Sequence, residues 1–175
     1  MKKIMILAAV ALAAVVTNAA TVKWSGSGIK GTDGLAAGNT YTAYFFIAAD
    51  TTGAFTDNIM SVEDAVSAIS QKDFSGAVAS KSLIHGMIAA VTGTQTPGVG
   101  TYDTFAIVVN SDASQYLVLD TQTKEVLNAA STYTASWAGV NNTAADWQAA
   151  AVPEPTSGLL MLVGLAGLAL RRRRA

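Results

Sequence analysis

Phe105-Ala106-Ile107-Val108-Val109 and Tyr116-Leu117-Val118-Leu119 are two uninterrupted apolar runs, separated by Asn110-Ser111-Asp112-Ala113-Ser114. Both runs are short and rich in β-branched residues, and the residues between them are turn formers. That combination reads as a hairpin with a five-residue loop. A strand with one wet face alternates apolar and polar residues. These runs do not alternate, so they are expected to be buried on both faces, and something must cover the outer one.

Working outward, short β-branched and aromatic segments recur between Gly, Asn, Asp and Ser clusters. Thr21–Ser25 places Val22 and Trp24 on one face. Thr40–Ala49 places Tyr41, Ala43, Phe45 and Ile47 on one face and Tyr44 and Phe46 on the other. Glu125–Asn128 is expected to extend the hairpin sheet, and Ser131–Ala138 to form another strand. Leu83–Val91 carries both helical and strand signals and is taken as a strand because of Gly86 and its Thr-Gly flanks. One stretch is helical. Ser61 caps it, Asp64 lies three residues on, Glu63 and Asp64 occupy the positive first turn, and Lys72 suits the negative end. Val62, Ala65, Val66 and Ile69 form a stripe at helical spacing, which makes the helix over about 61–71 the cover for the doubly buried hairpin. The expected fold is therefore mainly β: an antiparallel β-sandwich with one short helix.

The ends differ from the middle. The chain has 175 residues, 51% hydrophobic, 13% charged, no Cys and a net charge of −1. Residues 20–152 alone carry 5 basic and 11 acidic side chains, a net of −6 with no Arg. This excludes charge-driven disorder, a disulfide scaffold and a Cys-based zinc site, and argues against a nucleic-acid partner. The remaining basic residues flank two apolar runs. Lys2-Lys3 precedes Ile4–Val16, which is followed by Thr17-Asn18-Ala19-Ala20. This order of charge, short apolar run and small residues reads as a signal peptide over residues 1–19, handled by the Sec machinery and cut by signal peptidase at Ala19 or Ala20, with Ala19 preferred. At the other end, Val152-Pro153-Glu154-Pro155-Thr156-Ser157 leads into Gly158–Leu170 and then Arg171, Arg172, Arg173 and Arg174. As a helix, 13 apolar residues span about 20 Å, short of a bilayer core. The four Arg are a cytoplasmic anchor under the positive-inside rule. Pro153 and Pro155 favour an extended, accessible segment outside the membrane.

Residues 152–174 resemble the PEP-CTERM sorting signal: a Val-Pro-Glu-Pro segment, a short apolar helix and a terminal Arg cluster. The resemblance implies an exosortase, a membrane-bound cysteine peptidase or transpeptidase, as processing partner. It also implies a Gram-negative source that makes an exopolysaccharide, transient residence at the inner membrane with a cytoplasmic C-terminus, and a final place on the cell surface or outside the cell. It covers the tail alone. The domains are thus expected at 1–19 (signal peptide helix), 20–140 (β-sandwich), 141–152 (linker) and 153–175 (sorting signal with its hydrophobic helix).

The central residues offer little chemistry. His85 is the single His, set among apolar neighbours, and no Gly-x-Ser-x-Gly elbow accompanies it. Glu63 and Asp64 are adjacent and explained by the helix start. No metal or cofactor is expected. Asn110-Ser111-Asp112 reads as a turn, although a loop Ca²⁺ site built on carbonyls would be invisible at this level. Trp24, Trp137 and Trp147 are core candidates or, in the alternative, a sugar-stacking platform, with Trp147 in the loose stretch after Asn141 as the exposed glycan contact. The expected function is a non-enzymatic exported surface or matrix protein. The alternative is a carbohydrate-binding module for an exopolysaccharide or host glycan, and a hydrolase ranks third. Edge strands on a Thr-rich, lightly charged sheet also raise self-assembly.

Overall fold

The structure, a computed structural model, describes residues 20–50, 53–55, 57–93, 95–127 and 132–150. The elements run β1 (Thr21–Gly26), β2 (Tyr41–Asp50), α1 (Val62–Ser70), β3 (Ala79–Ser82), β4 (Ile88–Thr92), β5 (Gly100–Asn110), β6 (Gln115–Val126), β7 (Thr132–Trp137), a single 3₁₀ turn at Ala144–Asp146, and β8 (Gln148–Ala149). They make a five-stranded sheet in the order β3-β2-β5-β6-β8 and a three-stranded sheet in the order β4-β1-β7. The expected signal peptide and the expected C-terminal hydrophobic helix lie outside the described residues. Among the described residues, no helix is long and apolar enough to cross a membrane.

The apolar hairpin forms as read, as β5 and β6. Asn110 belongs to β5, so the connection shortens to Ser111–Ser114. The turn is set by side chains bonding to nearby backbone: Asp112 Oδ1 accepts from the Ser114 N–H at 2.9 Å and Asn110 Oδ1 from the Gln115 N–H at 3.0 Å. Phe105 through Val109 are all fully buried or nearly so.

Two cores explain this. On one face of the five-stranded sheet, Ala43, Phe45 and Ile47 of β2, Ala106 and Val108 of β5, and Leu117 and Leu119 of β6 pack against Val22 and Trp24 of β1 and Ala135 and Trp137 of β7. On the other face, Phe46, Phe105, Ile107, Val109 and Tyr116 meet Ala65 and Ile69 of α1. The molecule is thus mainly β, with a sheet on one side of the hairpin sheet and a helix on the other. Full burial of each large apolar side chain contributes about 1.5–3 kcal/mol, which makes β5 the energetic centre.

The helix has the predicted start. The Asp64 N–H donates to Ser61 Oγ at 3.0 Å, and Ser61 Oγ donates to the Asp64 carboxylate at 2.8 Å. Its end, by contrast, is set by backbone bonds. Lys72 takes a left-handed conformation (φ +58°), its N–H bonds to Ile69 C=O at 2.8 Å, and the Asp73 N–H reaches back to Ala68 C=O at 2.9 Å. Lys72 therefore stops the helix through its backbone, just past the last turn where its charge was expected to act.

Two expectations are corrected. The sandwich is not wholly antiparallel, because β1 pairs parallel with β7 from Thr21↔Thr132 to Gly26↔Trp137. A parallel pair needs a long crossover, and here the whole intervening chain supplies it. Leu83–Val91 is not one strand. His85 (φ +49°) and Gly86 (φ +72°) are the centre of a tight turn closed by Ile84 and Met87, and they divide β3 from β4, which join different sheets. A Cβ on Gly86 would lie 2.6 Å from the Ile29 carbonyl, so the close approach requires glycine.

Candidate functional site

The expected linker from Asn141 onward is instead a strap bound to the domain as far as Ala150. Asn142 is buried, and its amide grips the backbone of Lys30 on both sides: the Lys30 N–H donates to Asn142 Oδ1 and Asn142 Nδ2 donates to Lys30 C=O, each at 2.8 Å. Lys30 Nζ reaches Asn141 Oδ1 at 3.1 Å. The Thr143 N–H and hydroxyl both donate to the Asp146 carboxylate, at 2.6 and 3.1 Å, which fixes the 3₁₀ turn. Trp147 then folds inward against Tyr41, with ring centres 5.2 Å apart, and its indole N–H donates to Lys30 C=O at 3.1 Å.

β8 follows at once. Gln148 and Ala149 pair with Tyr116 and Gln115, and the Tyr116 hydroxyl donates to Gln148 Oε1 at 2.7 Å. The Ala150 N–H donates to Ser114 C=O at 2.8 Å, and its side chain is buried beside Tyr116 in the helix-side core. The strap so passes around the free edge of β6, with Trp147 in one core and Ala150 in the other. It ends at Ala150, two positions before Val152, Pro153, Glu154 and Pro155. Those four residues, Arg171–Arg174, expected to act as an anchor, and Ala19 lie outside the described residues. Ala20, the second candidate at the signal cleavage point, is a buried residue at the entry to β1.

Trp147 is only 8% exposed, which corrects its reading as an exposed glycan contact. The reason is the strap: a Trp buried with its N–H on a carbonyl is an anchor rather than a platform. Trp24 and Trp137 are buried likewise, their N–H groups on Thr104 Oγ1 at 2.9 Å and Asp120 C=O at 2.7 Å. Tyr44 stacks on Phe74 at 4.2 Å, and Tyr102 meets Phe55 edge-on at 5.0 Å. A groove of about 800 Å³ runs where β6 meets β7 and the strap, lined by Leu117–Asp120, Trp137–Asn142 and Asp146 among others. Gln122, also on its wall, donates from Nε2 to Ser136 C=O at 2.7 Å, so this amide too is bound to the wall.

His85 is exposed at the turn tip. Among the described residues, no group of three His, Asp or Glu side chains gathers to hold a metal ion. The Asp112 and Asp73 carboxyls are held below their ordinary range by hydrogen bonds, Asp112 from the Ser114 side chain and backbone, Asp73 from the Ser75 backbone and side chain. Burial raises the Tyr44 and Tyr102 phenols. The Asp73 shift belongs to a turn and the Tyr102 shift to the core, whereas Asp112 and Tyr44 share the wall of a small cleft of about 180 Å³ with Lys72 and Phe74. The reading of the sequence missed Asn142. The nearest signal was Thr143-x-x-Asp146, a capping pattern that marks ordered chain in an otherwise polar stretch.

The geometry defines a class: a β-rich domain of two sheets and one helix, with its last described strand closed through Ala150. The tail is specific. Residues 151–174 match the family model of the PEP-CTERM protein-sorting motif. No curated protein and no solved structure matches the chain.

Proposed function

We propose that the chain is an exosortase-processed surface or extracellular-matrix protein whose β domain acts without catalysis. The motif match supports exosortase-dependent sorting. The observation that carries the reading is the junction: the domain is closed through Ala150, and the sorting motif starts at the next residue. On this reading the signal peptide exports the chain. The apolar run and Arg171–Arg174 hold it at the inner membrane, and cutting at the tail frees a finished domain. The buried tryptophans favour a structural role for the aromatics over a sugar-stacking one.

The test replaces Pro153, Glu154 and Pro155 together with Ala in a host that carries the peptidase. The variant is expected to stay in the membrane fraction while the wild type is released, as followed by immunoblot of fractions. Release at the wild-type level overturns the sorting claim.

A further inference from the structure

We propose that the tip of the domain carrying Leu35, Ile84 and Met87 rests in a lipid surface while the tail tethers the chain. This rests on the tail's membrane role in the reading above and adds a contact made by the folded domain itself. Leu35 is 68% exposed, Ile84 57% and Met87 53%. They stand on two adjoining loops. Ile84 and Met87 close the turn at His85 and Gly86, each N–H donating to the other's C=O at 2.9 Å. Gly86 joins this turn to the loop over 29–37: the Ile29 N–H donates to Gly86 C=O at 3.1 Å, and the Gly86 N–H donates to Ala37 C=O at 2.7 Å. Within that loop the Gly31 N–H donates to Leu35 C=O at 2.7 Å, and the Thr32 N–H donates to the Tyr41 hydroxyl oxygen at 3.1 Å. Both loops are thus bonded in place, and they hold three large apolar side chains out in water, where burial would be favourable.

What covers them follows from where the chain leaves the domain. The Leu83 N–H donates to Tyr41 C=O, Tyr41 pairs with Asn110, Asn110 Oδ1 accepts from the Gln115 N–H, and the neighbouring Ser114 C=O accepts from the Ala150 N–H. The tip and the last described residue therefore share one end of the five-stranded sheet, and β8 runs towards that end. Seven residues, 151–157, separate Ala150 from the apolar run that starts at Gly158. Fully extended they reach roughly 25 Å. Val99 and Leu127 are also exposed, but at the opposite end of the sheet, about 34 Å away along β5 at its rise per residue. The tether is too short to set that end on the bilayer with the tip pointing away. Residues 20–152 carry a net charge of −6, so the contact draws on apolar burial rather than on attraction to anionic headgroups. Three side chains hold weakly on their own, and the tether strengthens the contact by keeping the tip at high local concentration over the surface.

The experiment uses the full chain in vesicles of phosphatidylethanolamine and phosphatidylglycerol. The chain has no Cys, so Leu35→Cys, Met87→Cys and Val99→Cys each take a single environment-sensitive fluorophore. All three side chains are exposed, so the substitutions leave the core intact. Lipids bearing a nitroxide quencher just below the headgroup are expected to cut the emission of the labels at positions 35 and 87 and to leave the label at position 99 unchanged. Undiminished emission at 35 and 87, in chains that float with the vesicles, overturns the proposal and leaves the tail's membrane role standing. Equal quenching at all three positions also overturns it, since neither end is then preferred. Tip labels that are shielded from water without being quenched, and that become exposed as the chain is diluted among vesicles, assign the tip to a second copy and overturn the lipid contact. A chain that fails to float overturns the tail's membrane role, and this contact with it.

Discussion

The β5–β6 hairpin and the strap over Asn141–Ala150 lie against one another, yet they are held by different forces. Phe105, Ile107 and Val109 face α1, while Ala106 and Val108 face β1 and β7, so the hairpin is fixed by apolar burial on both sides. The strap offers one large apolar side chain, Trp147, and is otherwise fixed by pairing polar groups with backbone: Asn142 with Lys30, Asp146 with Thr143, Ala150 with Ser114. Burial is non-directional and spreads over many neighbours, so the hairpin should fail only with the whole fold. Hydrogen bonds of this kind each contribute about 1 kcal/mol net, so the strap should be able to open alone.

The comparison breaks most severely at Phe105. It is fully buried and stacked on Phe46 with ring centres 5.1 Å apart. Phe105→Ala is expected to lose about 3–5 kcal/mol of global stability, through lost burial and the cavity left behind. Urea unfolding should show a lower midpoint with an unchanged slope, and hydrogen exchange should rise together in hairpin and strap. A loss below 1 kcal/mol would mean that the hairpin is not the energetic centre.

Asn142→Ala comes next. It leaves the Lys30 N–H without its partner and costs roughly 1–3 kcal/mol. The informative readout is local. The Ala150 amide should lose protection while the amides of Ile107 and Val108 keep theirs. Equal loss in both regions would merge strap and hairpin into one cooperative unit.

The same contrast explains what could be read in advance. Apolar burial writes itself in residue type and period, so the hairpin, the alternation of β2 and the capped helix at Ser61 were legible. The parallel pairing of β1 with β7 was not, because it joins segments more than a hundred residues apart and neither carries a mark of its neighbour. The strap was misread as a linker because its residues are polar, and polarity alone does not say whether an amide faces water or the Lys30 backbone. Trp147 followed the same error: in a supposed linker it looked exposed. The split of Leu83–Val91 turned on His85 accepting a positive φ, which a non-glycine residue does uncommonly. The processing tail was legible throughout, since it is read by order and position and does not depend on the fold.

The smallest effect sharpens the comparison from the hairpin's side. Tyr102 begins the buried part of β5 with no exposed surface, and among the described residues its hydroxyl has no hydrogen-bond partner. Two residues on, Thr104 does the opposite: it accepts from the Trp24 N–H at 2.9 Å and donates to Phe46 C=O at 2.7 Å, tying the two sheets together. Removing an unmade bond should help where removing a made one hurts. Tyr102→Phe is expected to gain about 1 kcal/mol. The pH dependence follows from the same burial. The folded phenol is raised above its ordinary value of 10.0 by desolvation, so the folded state holds its proton longer than the unfolded chain does. The stability tied to Tyr102 is fully present below about pH 10 and declines as pH rises beyond it, because the unfolded phenol ionises first. Thermal unfolding at pH 8 and pH 10.5 should show this decline in the wild type and less of it in Tyr102→Phe. An equal decline in both would assign the alkaline loss to other groups, and a destabilised variant at pH 8 would mean that the hydroxyl is satisfied after all.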